Sequence, residues 1–159
     1  MDLEFHQIEL RYEGLRRRDP HKERQILASL DGLGQVSPAV VLAQPSGRYI
    51  LLDGYKRFRA LKRLKRDTIW ATLWEMDAMR QRPGAFMAEA LLLERLMRSS
   101  HSGSALEQGW LLRELRERFG MTLEELGRRF DRTPGWVSRR LALVRDLPEA
   151  LQDQVLAGR

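Results

Sequence analysis

The run RYILL at 48–52 passes through Asp53 and Gly54 into a segment over about 55–64 whose Phe58, Leu61 and Leu64 recur at helical spacing. A β-rich run, a glycine and an amphipathic helix, in that order, commit the chain to a strand–turn–helix unit. Such a unit needs a sheet with at least one helix on its face. The helix is also strongly basic: seven lysines and arginines fall between positions 56 and 66, with no acid until Asp67. Gly54 lets the backbone approach closely, and the first helical turn leaves N–H groups without intrahelical partners. Lys56, Arg57 and Arg59 add positive charge at the same end, which makes it an anion site suited to phosphates. Phe58 and Leu61 hold the helix to the sheet, while Lys62, Arg63, Lys65 and Arg66 are solvated charges.

The rest of the first half reads as mixed α/β. EFHQIEL (4–10) is expected to be a short strand. Asp19 is a plausible N-cap with Pro20 at the first position of a helix whose Ile26, Leu27, Leu30 and Leu33 share one side, with Gly32 or Gly34 at its end. AVVLA (39–43) and RYILL are separated by QPSG, a hairpin signal, and TIWATLWEM (68–76) alternates as a further strand. The order is strand, helix, strand, strand, helix, strand.

After RQRPG (80–84) the signals are helical throughout. Residues 85–98 carry Phe86, Met87, Ala90, Leu91 and Leu93 at helix-like spacing, and SSHSGS (99–104) is a small polar linker. Ser104 with Glu107 and Thr122 with Glu125 form capping boxes that open helices ending near Phe119 and Phe130. Thr133–Pro134 and Pro148 mark two more starts. The expected organisation is an α/β domain over 1–84, a connecting helix and linker over 85–104, and an all-α domain over 105–159, an α+β chain.

Within the all-α part, MTLEELGRRFDRTPGWVSRRLALVRDLP (121–148) has the form of a helix-turn-helix. Leu123, Leu126 and Phe130 face inward on the first helix, and Val137, Leu141 and Val144 on the second, capped by Thr133. The remaining face shows Gly135, Trp136, Ser138, Arg139 and Arg140, with Arg132 just outside. Small residues near the start of such a helix permit close approach to the major groove, and long donors follow them; Arg139 and Arg140 suit guanine edges or phosphates. Trp136 fits equally as a stacking residue on a sugar or thymine methyl and as a half-buried packing residue.

Composition narrows the partner. A formal net charge of +6 points to a polyanion, either nucleic acid or an anionic membrane surface. At 159 residues and 43% hydrophobic content the chain can build one ordinary domain or two small ones. The absence of cysteine excludes disulfides, thiolate zinc sites and cysteine nucleophiles, and His6, His21 and His101 show no ligand spacing. No run approaches the roughly 18 apolar residues of a membrane span, and MDLEFHQIEL lacks the regions of a signal peptide, so a cytoplasmic protein is expected.

SLDGLGQVSPAVVL, GRYILLDGYKRFRALKRL and ALLLERLMR, followed by the helix-turn-helix, resemble in order and separation the N-terminal and central domains of the ParB chromosome- and plasmid-partition proteins over about 5–158. The resemblance implies a ParB/sulfiredoxin-like α/β domain that holds CTP and a helical domain that reads a palindromic site in double-stranded DNA. It also implies a homodimer, a partition ATPase as partner by analogy, with RYEGLRRR (11–18) the basic segment concerned, and further helix and a C-terminal dimerisation domain in other members. By motif, Gly34, Gln35 and Pro38, with Ser37 between them, match the segment lining base and sugar. Gly54, Arg57, Arg59 and Ala60 match the phosphate loop GERRxRA, and Glu94 and Arg98 match the ends of ENxQR, beside the triphosphate and its metal. Tyr55 stands at the acidic position of that loop and Lys56 at the next arginine, while Arg95 and Met97 replace the asparagine and glutamine.

Loss of the loop carboxylate removes the group placed to orient a hydrolytic water, and Arg95 sets a cation where magnesium is expected, leaving Glu94 the one candidate ligand. The expectation is CTP bound weakly or without metal, and hydrolysed slowly or not at all. One alternative is a decayed pocket in which Lys56, Arg57 and Arg95 simply meet DNA phosphates; another is a nucleotide-independent, sequence-specific DNA-binding transcriptional regulator whose α/β domain is a dimerisation scaffold. A kinase- or nuclease-like activity would rest on Asp53 as a base, a residue that reads more readily as a turn or cap.

Overall fold

The computed structural model describes residues 1–15, 17–74 and 104–158, so the helix expected at 85–98 and the linker through 103 lie outside the described residues. The described residues sort into two units, 1–14 with 18–74, and 15 and 17 with 104–158. In the first, the strands β1 (Asp2–Glu4), β2 (Ile8–Glu9), β3 (Ala39–Ala43), β4 (Tyr49–Asp53) and β5 (Thr68–Leu73) form one mixed sheet in the order β1-β5-β3-β4-β2. β3 runs antiparallel to β4 and parallel to β5. Helices α1 (Pro20–Leu33) and α2 (Tyr55–Arg63) complete the unit. Leu30, Ala39, Val41, Leu51, Phe58, Leu61, Ile69 and Ala71 meet in one buried cluster, which is where the alternation of the strands and the spacing of the helices direct them.

The expected strand over 4–10 is instead two short strands with a 3₁₀ turn, Phe5–Gln7, between them. The Gln7 side chain returns to accept from the Glu4 N–H at 2.9 Å, and the Phe5 ring stands edge-on to Phe58 with centroids 5.1 Å apart. β1 and β2 pair at opposite edges of the sheet, which one continuous strand cannot do.

Ion pairs clamp the two helices. Arg59 of α2 donates to Glu23 of α1 at 2.6 Å and pairs with Glu13 at 3.3 Å, and Arg18 meets Glu23 at 3.1 Å. Partial burial of Glu23 disfavours its charge, but the hydrogen bonds and charges of Arg18 and Arg59 outweigh that and hold its carboxyl below the ordinary value of 4.5.

In the second unit α3 (Ala105–Phe119), α4 (Leu123–Arg129), α5 (Pro134–Asp146) and α6 (Glu149–Leu156) enclose Leu111, Leu112, Leu115, Leu126 and Val137. Ser104 caps α3 with the expected reciprocal box, and the buried Glu107 carboxylate also accepts from the Arg17 N–H at 3.3 Å. Gln152 braces α6: it accepts from Trp110 Nε1 and donates to the carbonyls of Val144 and Leu147. No helix of the described residues is long and apolar enough to cross a membrane.

Gly109 is where α3 crosses α5. A Cβ there would sit 2.5 Å from Val144 Cγ2 and 2.7 Å from the Arg140 carbonyl oxygen. Gly109→Ala gains about 1 kcal/mol of helix propensity but forces overpacking that costs about 1–3 kcal/mol. The expected outcome is a lower melting temperature, read by circular dichroism. For Glu23, the lowered folded-state pKa means its contribution is complete above the unfolded value and is lost as pH falls through the folded one. Denaturant titrations should show Glu23→Gln less stable than the parent at pH 7, with the gap closing below about pH 4; a gap independent of pH would contradict the pairing.

Candidate functional site

Two groups of the singled-out residues converge around the corner between β4 and α2. Gly54 is buried with φ at +112°, and a Cβ there would lie 2.8 Å from the Ala39 Cβ, so both conformation and space require glycine. α2 begins with no side-chain cap and no acid in its first turn. Helix geometry therefore leaves the first-turn amides at 55–57 without intrahelical acceptors and concentrates positive dipole there.

Arg57 reaches from this turn to the segment after α1. Its Nη1 donates to the Ser37 carbonyl and hydroxyl at 2.8 Å each and to the Pro38 carbonyl at 3.0 Å, while Nη2 pairs with Asp53 at 3.3 Å. Gln35 holds the same segment from the other side, since its Nε2 donates to the Ser37 and Trp70 carbonyls and its Oε1 accepts from the Trp70 N–H at 2.9 Å. Gln35 is thus tied to β5, and Ser37 and Pro38 to Arg57 of α2, while the Gly34 N–H bonds the Leu30 carbonyl at the end of α1.

The charges are less available than the sequence suggests. The Arg57 guanidinium is tied to Asp53, Ser37 and Pro38, and Arg59 is neutralised by Glu13 and Glu23. Tyr55 turns inward, donating to the Leu51 carbonyl at 2.6 Å and accepting from the Tyr12 N–H at 3.1 Å. Burial, then the Glu13 and Glu9 carboxylates, push its hydroxyl well above the usual tyrosine range, so it stays neutral. Lys56 is half-buried beside it. Asp53 is the ion-pair partner of Arg57, and their i,i+4 spacing carried that signal. Glu94, Arg95 and Arg98 lie outside the described residues, and among those described no three carboxylates or histidines group as metal ligands.

α4 and α5 follow each other across a short connection at 130–133. Thr133 Oγ1 accepts from the Trp136 N–H at 3.1 Å and caps α5, and Gly127 lets the turn backbone close in, since a Cβ there would meet the Arg132 carbonyl oxygen at 2.8 Å. Arg132, Thr133, Gly135, Ser138 and Arg139 are exposed. Arg140 is not on that open face: its Nε donates to Gln108 Oε1 at 3.0 Å and its guanidinium lies 5.0 Å from the Trp136 ring. Gln108 belongs to α3, and nothing in its local sequence marks that contact.

A family model described as the ParB N-terminal domain matches residues 2–89. Stage 0 sporulation protein J of Bacillus subtilis is 30% identical over 125 residues, covering 79% of this chain and 41% of that protein; the chain spans less than half the length of the curated relatives it matches. A Pnob8-like ParB-N domain superposes with a TM-score of 0.54 at 13% identity, covering 98% of this chain and 72% of that one. The C-terminally truncated chromosome-partitioning protein ParB of Caulobacter crescentus, complexed with CTP-gamma-S, is 19% identical with a TM-score of 0.47, covering 98% of this chain and 83% of that one. With the family match spanning the sheet, both helices of the first unit and the glycine corner between them, the chain belongs to the ParB N-terminal domain family.

Proposed function

We propose that this protein binds double-stranded DNA through α4 and α5 and that its first unit responds to CTP, as a clamp or adaptor in DNA partition or regulation. The observation that carries the DNA half is the exposed, Thr133-capped start of α5, where Thr133, Gly135, Ser138 and Arg139 stand open while Val137 and Val144 are buried. The net charge of +6 supplies the long-range attraction to a polyanion. Homodimerisation, and a partition ATPase as partner by analogy, belong to the same proposal.

The CTP half rests on the fixed 34–38 segment facing the uncapped start of α2. The backbone amides fit an anion there. Tyr55 brings no carboxylate to orient a water and its hydroxyl is already committed, so hydrolysis is slow or absent. A second reading, a nucleotide-independent DNA-binding regulator, is favoured by one specific observation: Arg57 and Arg59 already have internal partners.

On a duplex selected from random sequence, Arg139→Ala is expected to weaken binding by about 1–3 kcal/mol, measured by fluorescence anisotropy; unchanged affinity would remove α5 as the reading element. Calorimetry with CTP should give saturable binding that does not require magnesium, with little phosphate released on long incubation. Rapid magnesium-dependent turnover would overturn the weak-hydrolysis reading, and an absence of heat with CTP would favour the regulator.

A further inference from the structure

Trp136 is the first-turn aromatic of α5, half-buried, with its ring 6.3 Å from that of Phe130 and tilted 32° to it. Two guanidiniums flank it: Arg132 at 5.4 Å from the ring centroid and Arg140 at 5.0 Å. They differ in what else holds them. Arg140 is anchored by Gln108 and is half-buried. Arg132 is exposed, sits in the turn just before α5, and makes no ion pair with any carboxylate among the described residues; only its backbone is fixed, by an N–H bond to the Gly127 carbonyl.

We propose that Trp136 is a positioning residue for DNA binding: its indole face preorients the Arg132 guanidinium for a phosphate contact, while Arg140, on the same ring, is withdrawn into the scaffold. This rests on the DNA-binding reading above and adds to it which cation meets the backbone and what aims it. The physical basis is that a flat, delocalised guanidinium held over an aromatic face keeps its N–H donors directed outward in its own plane, free for phosphate oxygens. A flexible arginine would have to be ordered at the moment of binding, whereas one already resting on a ring loses less freedom. The choice of tryptophan at 136 then has a reason that neither simple packing nor base stacking provides.

The test is a double-mutant cycle on the full chain, with binding to a labelled random-sequence duplex read by anisotropy at fixed salt and folding checked by thermal melts. Arg132→Ala is expected to cost about tenfold in the parent but less than about twofold in the Trp136→Leu background, while Trp136→Phe, which keeps a ring, retains most of the coupling. Additive losses, or full affinity in Arg132→Ala, overturn the inference. Should Trp136→Leu fail to melt cooperatively, Arg132→Lys decides: it keeps the charge and disturbs no buried contact, yet its ammonium lacks a flat face. A loss close to that of Arg132→Ala supports the stack, and parental affinity overturns it. If the parent chain binds no duplex at all, the DNA-binding reading itself fails, which is a separate result from loss of coupling.

Discussion

The guanidinium of Arg57 closes the corner on which the first unit depends. A strand that ends in Asp53, turns through a glycine at φ +112° and enters a helix has its next segment held by one side chain that reaches three acceptors on Ser37 and Pro38 and one on Asp53. Charge-assisted bonds to several carbonyls are directional and are strongest where water is limited. Here they join residues twenty apart in sequence and set the distance between the 34–38 segment and the start of α2. Gln35 completes the enclosure by bonding both backbone groups of Trp70.

That arrangement divides the basic helix. The first turn of α2 has neither a side-chain cap nor an acid, whereas the arginines beside it neutralise Asp53, Glu13 and Glu23. The positive field at the corner is therefore built more from backbone dipole than from free side-chain charge, and an anion entering it meets a scaffold already at rest. The helical unit shows the same economy: of the two arginines that flank Trp136, one is locked to Gln108 and the other stands in the turn.

Much of this was legible in the sequence. Asp19–Pro20, Ser104–Glu107, Thr122 and Thr133 each start a helix where their capping chemistry places it, because a cap is a local interaction spanning three residues. Burial of Phe58 and Leu61 and exposure of Lys62, Arg63, Lys65 and Arg66 followed from period alone. The 3₁₀ turn at Phe5–Gln7 did not, since it depends on which sheet edges β1 and β2 reach. The inward turn of Tyr55 onto Tyr12 and the capture of Arg140 by Gln108 were equally hidden, for both partners lie more than thirty residues away. Charge density could be counted from the sequence, but the partners that quench it could not.

The most direct measurement is amide hydrogen exchange over residues 54–58 of the full chain with and without CTP. If the start of α2 holds the ligand, the amides of 55–57 should slow on addition of CTP, while the Gly34 amide, bonded to the Leu30 carbonyl, exchanges alike in both states. Unchanged exchange at 55–57 under conditions where CTP alters retention on DNA would contradict the account and move the nucleotide site elsewhere.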